Sequence, residues 1–218
     1  PMMNHQVSVS GASEKVTYLF SLGFYTQDGI VGGNFDRSNY ERLTLRSNTQ
    51  YTLFDESKER NWLNSLKVTS NLSYARIKST NFDDNSTWGT TLGSALALSP
   101  ILNVYDETEE AIKAQFDKYG TTAEYTPVYD PRNGKLFSIP GEFGEMSNPI
   151  AKLSLPGDKH WSHKFVANFS AELQLWDNLK FKTSYGADLS FWGYDGYRPL
   201  YYLRSGESST QSSAYSRK

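Results

Sequence analysis

Residues 164–175 read KFVANFSAELQL, and residues 179–191 read LKFKTSYGADLSF. In both stretches apolar side chains alternate with mostly polar ones, beginning at Phe165 in the first and at Leu179 in the second. Because successive residues of a strand point to opposite faces of a sheet, this period of two predicts two strands, each with one apolar face. Only Trp176-Asp177-Asn178 separates them, so the two strands are predicted to form a tight β-hairpin.

Four stretches nearer the start of the chain alternate in the same way, which gives six predicted strands in all. Several of them keep the pattern for ten residues or more, whereas a typical globular strand has about 5–6 residues. A tilted strand that crosses a membrane needs about 9–11 residues. The apolar positions predicted to share a face within each strand are Val7 and Val9; Val16, Tyr18, Phe20, Leu22 and Phe24; Leu43, Leu45, Tyr51 and Leu53; and Leu66, Val68, Leu72 and Tyr74.

The connections between these strands differ greatly in length. Short and long connections on opposite rims are typical of a barrel with short periplasmic turns and long extracellular loops. We therefore predict an all-β fold, made of antiparallel strands from a large outer-membrane β-barrel with a long loop insertion that contains a short helix. A soluble β-sandwich that acts as a carbohydrate-binding module is the alternative. In chain order, the connections are residues 11–13, 26–39, 55–61, 79–160 and 176–178.

Composition excludes several functional classes. The chain has 218 residues, a formal net charge of −2 and no run of Lys or Arg, so no basic patch indicates a nucleic-acid partner. It has no cysteine, which removes disulfides, Cys-ligated zinc and thiol nucleophiles. Aromatic residues make up 15%, a share that suits thin sheets with aromatic girdles. The sequence contains neither an apolar run of about 20 residues nor a signal-peptide pattern at its start.

The insertion is expected to fold by itself, because structureless loops of this size are uncommon. A helix is predicted at about 106–119, with Asp106 as its cap and Glu109 as the capping-box partner. Residues 130–134 read DPRNG, a turn sequence. The helix stripe comprises Ile112, Gln115, Phe116 and Tyr119, and Gly120 ends the helix. The predicted organisation is barrel strands in 1–78, the extracellular loop insertion in 79–160, a hairpin and a candidate further strand in 161–204, and a loop or disordered tail in 205–218.

No group of residues predicts catalysis or the binding of a cofactor or metal. His160 and His163 are three residues apart, and a strand would place them on opposite faces, which favours a solvated strand entry over a metal pair. The sequence contains no G-x-S-x-G elbow, P-loop or G-x-G-x-x-G motif. We therefore predict that the chain is not an enzyme and has no cofactor.

Aromatic residues of the insertion are the candidates for ligand contact. Trp88, Tyr125 and Tyr129 are placed to stack on a ligand such as a sugar ring, and the alternative is that they form the core of the insertion. Aromatic residues at the strand ends suit a girdle at the membrane interface instead. These are Trp161, Trp192, Tyr194, Tyr197, Tyr201 and Tyr202.

The opening of the chain resembles a known family. Residues 4–18 read NHQVSVSGASEKVTY and lead into residues 21–25, SLGFY, and 28–30, DGI. These runs resemble the SusC/RagA family of TonB-dependent outer-membrane transporters, with Ala12 where the family often has glycine. Further stretches similar to the family are residues 35–42, FDRSNYER, 161–165, WSHKF, and 189–194, LSFWGY. The resemblance covers essentially the whole chain.

The resemblance implies a transporter of the outer membrane of a Gram-negative bacterium, with a plugged barrel of about 22 strands. It implies import of glycans or other bulky nutrients, peptides included, with TonB, a SusD-like surface lipoprotein and outer-membrane lipid as partners. No ligand residue is carried over, because the extracellular loops vary with the substrate. With six or seven predicted strands, the chain resembles an internal fragment of such a barrel and cannot close one by itself. The two edge strands of its sheet are therefore expected to stay open or to pair with strands outside this chain.

Overall fold

A computed structural model describes residues 1–54, 62–80, 90–106, 108–119, 125–140, 146–204, 207–209 and 211–218. Three short α-helices and a 3-10 turn, Gly33–Phe35, accompany the strands. The helices are α1 (Thr91–Ala97), α2 (Glu109–Tyr119) and α3 (Pro149–Ser154). The strands are β1 (Met2–Ala12), β2 (Val16–Asp28), β3 (Asn39–Phe54), β4 (Ser65–Thr80), β5 (Lys159–Trp176), β6 (Leu179–Arg198), β7 (Tyr201–Arg204), β8 (Glu207–Ser209) and β9 (Ser213–Arg217).

Seven strands form one sheet in the order β1-β2-β3-β4-β5-β6-β9, and each neighbouring pair is antiparallel. The predicted fold class, antiparallel all-β with a long insertion that contains a short helix, is confirmed. In the described part of the chain β1 and β9 are the two edges of this sheet, which is therefore open. The hairpin of β5 and β6 is also confirmed, with strands of 18 and 20 residues.

The register brings the predicted apolar positions onto one face. Directly paired residues of neighbouring strands point the same way, so a row of partners reports one face. Many of these side chains remain exposed to solvent, among them Phe20 (51%), Leu72 (43%) and Leu189 (53%). A soluble sandwich would bury such a face beneath a second sheet. One row across six strands is Val7, Leu22, Leu45, Tyr74, Phe165 and Leu189.

The strand pairing has two register shifts at the end of the sheet where the connections are short. One lies between β3 and β4, and the other lies between Gln174 and Trp176 of β5 where it pairs with β6. The pairing of β3 with β4 shifts between Thr52 and Phe54, so Phe54 rather than Leu53 stands opposite Leu66. Leu53 therefore has no direct partner in this pair of strands. An extra residue in one strand of an antiparallel pair is a β-bulge, and bulges are common at barrel rims.

The last part of the chain differs from the predicted loop or disordered tail. The candidate strand near residue 200 is present as β7, but it pairs with β8 in a separate two-stranded sheet. Further on, β9 pairs with the end of β6. Gly196 makes this pairing close, because a Cβ there would lie 2.5 Å from the ring of Tyr215. Residues 211–218 are rich in serine and show no alternation, so no periodic pattern predicts a strand there.

The helix predicted in the insertion is present, but it begins at Glu109. Thr108 rather than Asp106 caps it, because Oγ1 of Thr108 accepts a hydrogen bond from the backbone N–H of Ala111 at 3.3 Å. Ile112 is 1% exposed, as its place on the predicted stripe requires. The side chains of residues 115 and 119, and all of residue 120, lie outside the described residues. None of the helices in the described ranges is both long and apolar enough to span a membrane.

Candidate functional site

The described part of the insertion between β4 and β5 packs together with β7 into one folded unit, which we call the outer unit (the described residues of 90–158 and 199–209). Its core joins Phe137 and Ala151 of the insertion to Leu203 of β7, each at most 3% exposed. Asn148 fixes the start of α3, since its Oδ1 accepts hydrogen bonds from the backbone N–H groups of Ile150 and Ala151. The insertion therefore has a packed core of its own, although that core needs residues from beyond β6.

The predicted turn at residues 130–134 holds an ion pair between the buried Asp130 and the partly exposed Arg132. Asp130 is fully buried, and its carboxylate accepts hydrogen bonds from Nε and Nη2 of Arg132 at 3.0 and 2.7 Å and from Oη of Tyr105 at 2.7 Å. The hydrogen bonds from Arg132 hold the pKa of Asp130 well below its usual range. The Arg132 guanidinium also lies 4.0 Å above the ring of Phe35, so this turn contacts the connection between β2 and β3.

A polar cleft of about 520 Å³ opens where the outer unit meets the ends of β5, β6 and β9. We call it the rim cleft. Its lining combines three cations with two carboxylates and a group of tyrosines. The cations are Arg37, Lys152 and Arg198; the carboxylates are Asp158 and Glu207; the tyrosines are Tyr197, Tyr201 and Tyr215.

Both carboxylates of the rim cleft are engaged by neighbours within the protein. Glu207 accepts from Nζ of Lys152 at 2.9 Å, from Nε of Arg204 at 3.4 Å and from the hydroxyl of Ser147. Asp158 accepts a hydrogen bond from Oη of Tyr215 at 2.5 Å, and this bond raises the pKa of the tyrosine. Glu207 is therefore paired with cations of the chain, whereas Asp158 keeps its negative charge and makes no ion pair within the described residues.

Arg37 is held rigidly in the wall of the cleft. One of its Nη groups donates a hydrogen bond to the backbone carbonyl of Leu155. Its guanidinium lies against Gly157, where a Cβ would stand 2.7 Å from Cζ, so a larger residue at 157 would displace the guanidinium. Burial lowers the pKa of Arg37, and the nearby Asp158 opposes that shift. The buried Nε has no hydrogen-bond partner among the described residues.

Arg198 lies at the end of β6, exposed to solvent, and makes no ion pair within the described residues. His160 also lines the cleft, at the start of β5. His163 lies deeper along the strand, with Nδ1 2.8 Å from Oη of Tyr74. In the part of the chain that the structure describes, no three metal-ligating side chains come together.

The aromatic residues singled out from the sequence lie elsewhere in the outer unit. Tyr129 is 45% exposed beside a second cleft of about 660 Å³, and its hydroxyl donates to the carboxylate of Glu109. The ring of Tyr125 lies 5.6 Å from that of Phe116, and its hydroxyl donates to the backbone carbonyl of Glu109 at 3.5 Å. The structure therefore brings Tyr125 and Tyr129 to the same helix start, whereas Trp88 falls outside the described residues.

The residues of the rim cleft were missed by sequence reasoning. Tyr197 and Tyr201 were assigned to a membrane-interface girdle, but both line the cleft. Arg37 and Arg198 are 161 residues apart in the numbering of the chain and belong to no shared motif. The only local signal is Gly157, the residue before Asp158, and a lone glycine does not reveal which side chain will lie against it.

Comparison with known proteins gives three related receptors, and no family model matches the chain. TonB-dependent receptor SusC of Bacteroides thetaiotaomicron is 28% identical over 178 residues, 79% of this chain. TonB-dependent receptors P26 and P3 of Formosa agariphila are 32% and 26% identical, over 78% and 84% of this chain. The chain spans only 13–15% of the length of these relatives. All three are named as receptors, which confirms the predicted resemblance and the prediction that the chain is not an enzyme.

Proposed function

We propose that this chain, which is similar to a part of TonB-dependent receptors such as SusC, forms part of the wall of an outer-membrane β-barrel that imports glycans or other bulky nutrients. In this proposal the apolar face contacts lipid, the polar face borders the lumen, and the outer unit lies on the extracellular side. TonB energises transport, and a SusD-like lipoprotein covers the outer opening. The membrane is the outer membrane of a Gram-negative bacterium.

One observation carries the proposal: an exposed, mainly apolar face runs across six antiparallel strands. On β4 this face extends from Leu66 to Tyr74 and ends at Arg76 and Lys78. The ten steps along the strand from Leu66 to Arg76 span about 33 Å at 3.3 Å per residue. At a strand tilt of about 40° this becomes about 25 Å along the membrane normal, the height of the apolar band of outer-membrane barrels.

The opposite face of the sheet suits a hydrated lumen. Asn48, Asn71 and Asn168 are direct partners across three neighbouring strands of this face. Lys164 and Asp188 form an ion pair on it at 3.2 Å, with both side chains more than half exposed. Side chains of this kind would be costly against lipid but are common inside large barrels.

The glycan part of the proposal rests on the family resemblance and on tyrosines of the outer unit and of the rim cleft. Tyr129 and the tyrosines of the rim cleft present aromatic rings beside clefts of about 520–660 Å³. This size falls within the usual range for small-molecule sites. Aromatic rings with polar neighbours suit sugar rings, which have apolar faces and hydroxyl edges. Contact of Trp88, Tyr125 and Tyr129 with the ligand remains part of the proposal.

Spin labels on neighbouring residues of one strand test the barrel wall. Leu72→Cys and Asn71→Cys, made in the whole receptor reconstituted into lipid vesicles, place a label on each face of β4. The chain itself has no cysteine to compete for the label. We expect the label at 72 to be relaxed by oxygen, which concentrates in lipid, and the label at 71 by a water-soluble nickel complex. Equal access of the nickel complex to both positions would contradict a lipid-facing apolar surface.

Growth of a deletion strain tests the import of glycans. A strain without the receptor gene should lose growth on at least one polysaccharide of a broad panel while still growing on the constituent monosaccharides. Restoring the gene should restore that growth. Unchanged growth on every polysaccharide would contradict glycan import, whatever the spin labels report about the barrel.

A further inference from the structure

We propose that the rim cleft binds an acidic sugar unit, one that carries a carboxylate or a sulfate ester. This inference rests on the proposed glycan import and names the chemical class of the ligand. It begins from the charge of the lining: three cations, Arg37, Lys152 and Arg198, face two carboxylates. Of these cations, Lys152 is paired with Glu207, while Arg198 makes no ion pair within the described residues.

The carboxylates do not remove this excess of positive charge. Glu207 is already shared between Lys152 and Arg204, and Asp158 is hydrogen-bonded to Tyr215. An anion that enters the cleft therefore meets Arg37 and Arg198 without having to displace a carboxylate from a strong pair. A guanidinium presents a planar fork of N–H donors that matches carboxylate and sulfate oxygens.

The position of Arg37 is set before any ligand arrives. Its bond to the Leu155 carbonyl and its contact with Gly157 fix the guanidinium against the cleft wall. A fixed cation loses less side-chain entropy on binding than a free one, so preorganisation favours affinity. Arg198 approaches from β6 and Lys152 from α3, so the cations surround the cleft from different elements.

Tyrosines supply the surface for the sugar ring. Tyr197 and Tyr215 are 49% and 37% exposed, and both line the cleft beside the cations. An aromatic face next to a guanidinium offers one contact for the apolar face of a sugar and another for its acidic group. A neutral sugar would use only the first contact, so the cleft should distinguish acidic from neutral units.

The test compares three small probes on the whole receptor purified in detergent. Binding of glucuronate, glucose 6-sulfate and glucose is measured by ligand-observed NMR titration at fixed ionic strength. We expect one or both acidic probes to bind at least tenfold more tightly than glucose, and the stronger of the two identifies the acidic group. If neither acidic probe binds more tightly than glucose, the inference is overturned.

Three variants show whether the rim cleft is responsible. Arg198→Gln should weaken binding of the acidic probe about tenfold, as expected for the loss of one charged hydrogen bond. Gly157→Ala should also weaken it, because the new Cβ displaces the Arg37 guanidinium while the net charge stays the same. Lys113→Gln, on the exposed side of α2, removes one charge outside the cleft and should leave binding unchanged. Equal losses in Arg198→Gln and Lys113→Gln would show general attraction and refute the site.

The outcome separates this inference from the proposed function. If the spin labels on β4 and the growth of the deletion strain behave as expected but acidic probes bind like glucose, the importer stands and the rim cleft is not an acidic-sugar site. If the strain grows on every polysaccharide, glycan import fails independently of the NMR result. Each experiment therefore tests its own claim.

Discussion

Replacing Leu72 with arginine puts a charge at the centre of the apolar face. Leu72 lies in the middle of β4 and is 43% exposed. Leu66, on the same face, is six residues away, which is about 20 Å along the strand and about 15 Å along the membrane normal at a tilt near 40°. Half the height of an apolar band of about 25 Å is about 12 Å. Leu72 is therefore expected near the midplane of the bilayer, and Leu66 at its interface.

This geometry gives a graded expectation. Arginine on the lipid face of a barrel costs about 2–4 kcal/mol at the midplane and about 0–1 kcal/mol near the interface. We therefore expect Leu72→Arg to fall in the first range and Leu66→Arg in the second. Asn71→Arg is the matched control, because it places the same charge at the same depth on the polar face, between Asn48 and Asn168. Its cost should stay within about 0.5 kcal/mol.

The assay is urea unfolding of the whole receptor refolded into lipid vesicles and followed by tryptophan fluorescence. The free energy of unfolding of each variant is compared with that of the parent protein. If Leu72→Arg does not insert into the vesicles, glutamine replaces arginine at all three positions. The cost in unfolding free energy should again be largest at 72, with smaller differences between the positions. The reasoning fails if the change at 72 costs no more than the change at 71, or if 66 and 72 cost the same.

Three further changes test other parts of the structure. Asp130→Asn removes the charged partner of Arg132. Folding lowers the pKa of Asp130, so its carboxylate stabilises the folded protein above the ordinary pKa near 3.8. That stabilisation is lost as the pH falls below this value. Hydrogen exchange of residues 125–140, corrected for intrinsic pH dependence, should therefore rise on acidification in the parent but change less in the variant. Gly193→Ala places a Cβ against the Arg217 carbonyl, so exchange should increase in residues 213–217 and not in residues 2–12. Thr108→Ala removes a helix cap, and residues 109–119 should lose about 0.5–2 kcal/mol of protection while residues 149–154 keep theirs.

The sheet could be predicted from the sequence because the signals for its strands and turns lie within short stretches of the chain. Alternation from Phe165 to Leu175 fixes which side chains share a face, and the short turn at Asp177 fixes the partner of that strand. The apolar face of each strand could be predicted without knowing which residues distant in sequence lie beside it. The irregularities at Leu53 and Leu175 were not predicted, since a single unpaired residue is hard to recognise from alternation alone.

The rim cleft and β9 could not be predicted in this way. Arg37 reaches Leu155 across 118 residues, and no periodicity links two such positions. The strand β9 pairs closely with β6 at Gly193 and Gly196, where a Cβ would meet the Arg217 carbonyl and the Tyr215 ring. Long-range packing decides both features, and a single sequence records packing far less clearly than it records alternation.

The outer unit has a core made from two separate segments, with Phe137 and Ala151 before the β5–β6 hairpin and Leu203 after it. A ligand specificity transferred between receptors by exchanging the long loop alone would thus carry only part of that core. The recipient would have to supply a β7 whose leucine fits the donor's α3. A functional exchange should therefore move residues 90–158 and 199–209 together and leave the hairpin between them in place, which makes the transferable module discontinuous in the gene although it is contiguous in space.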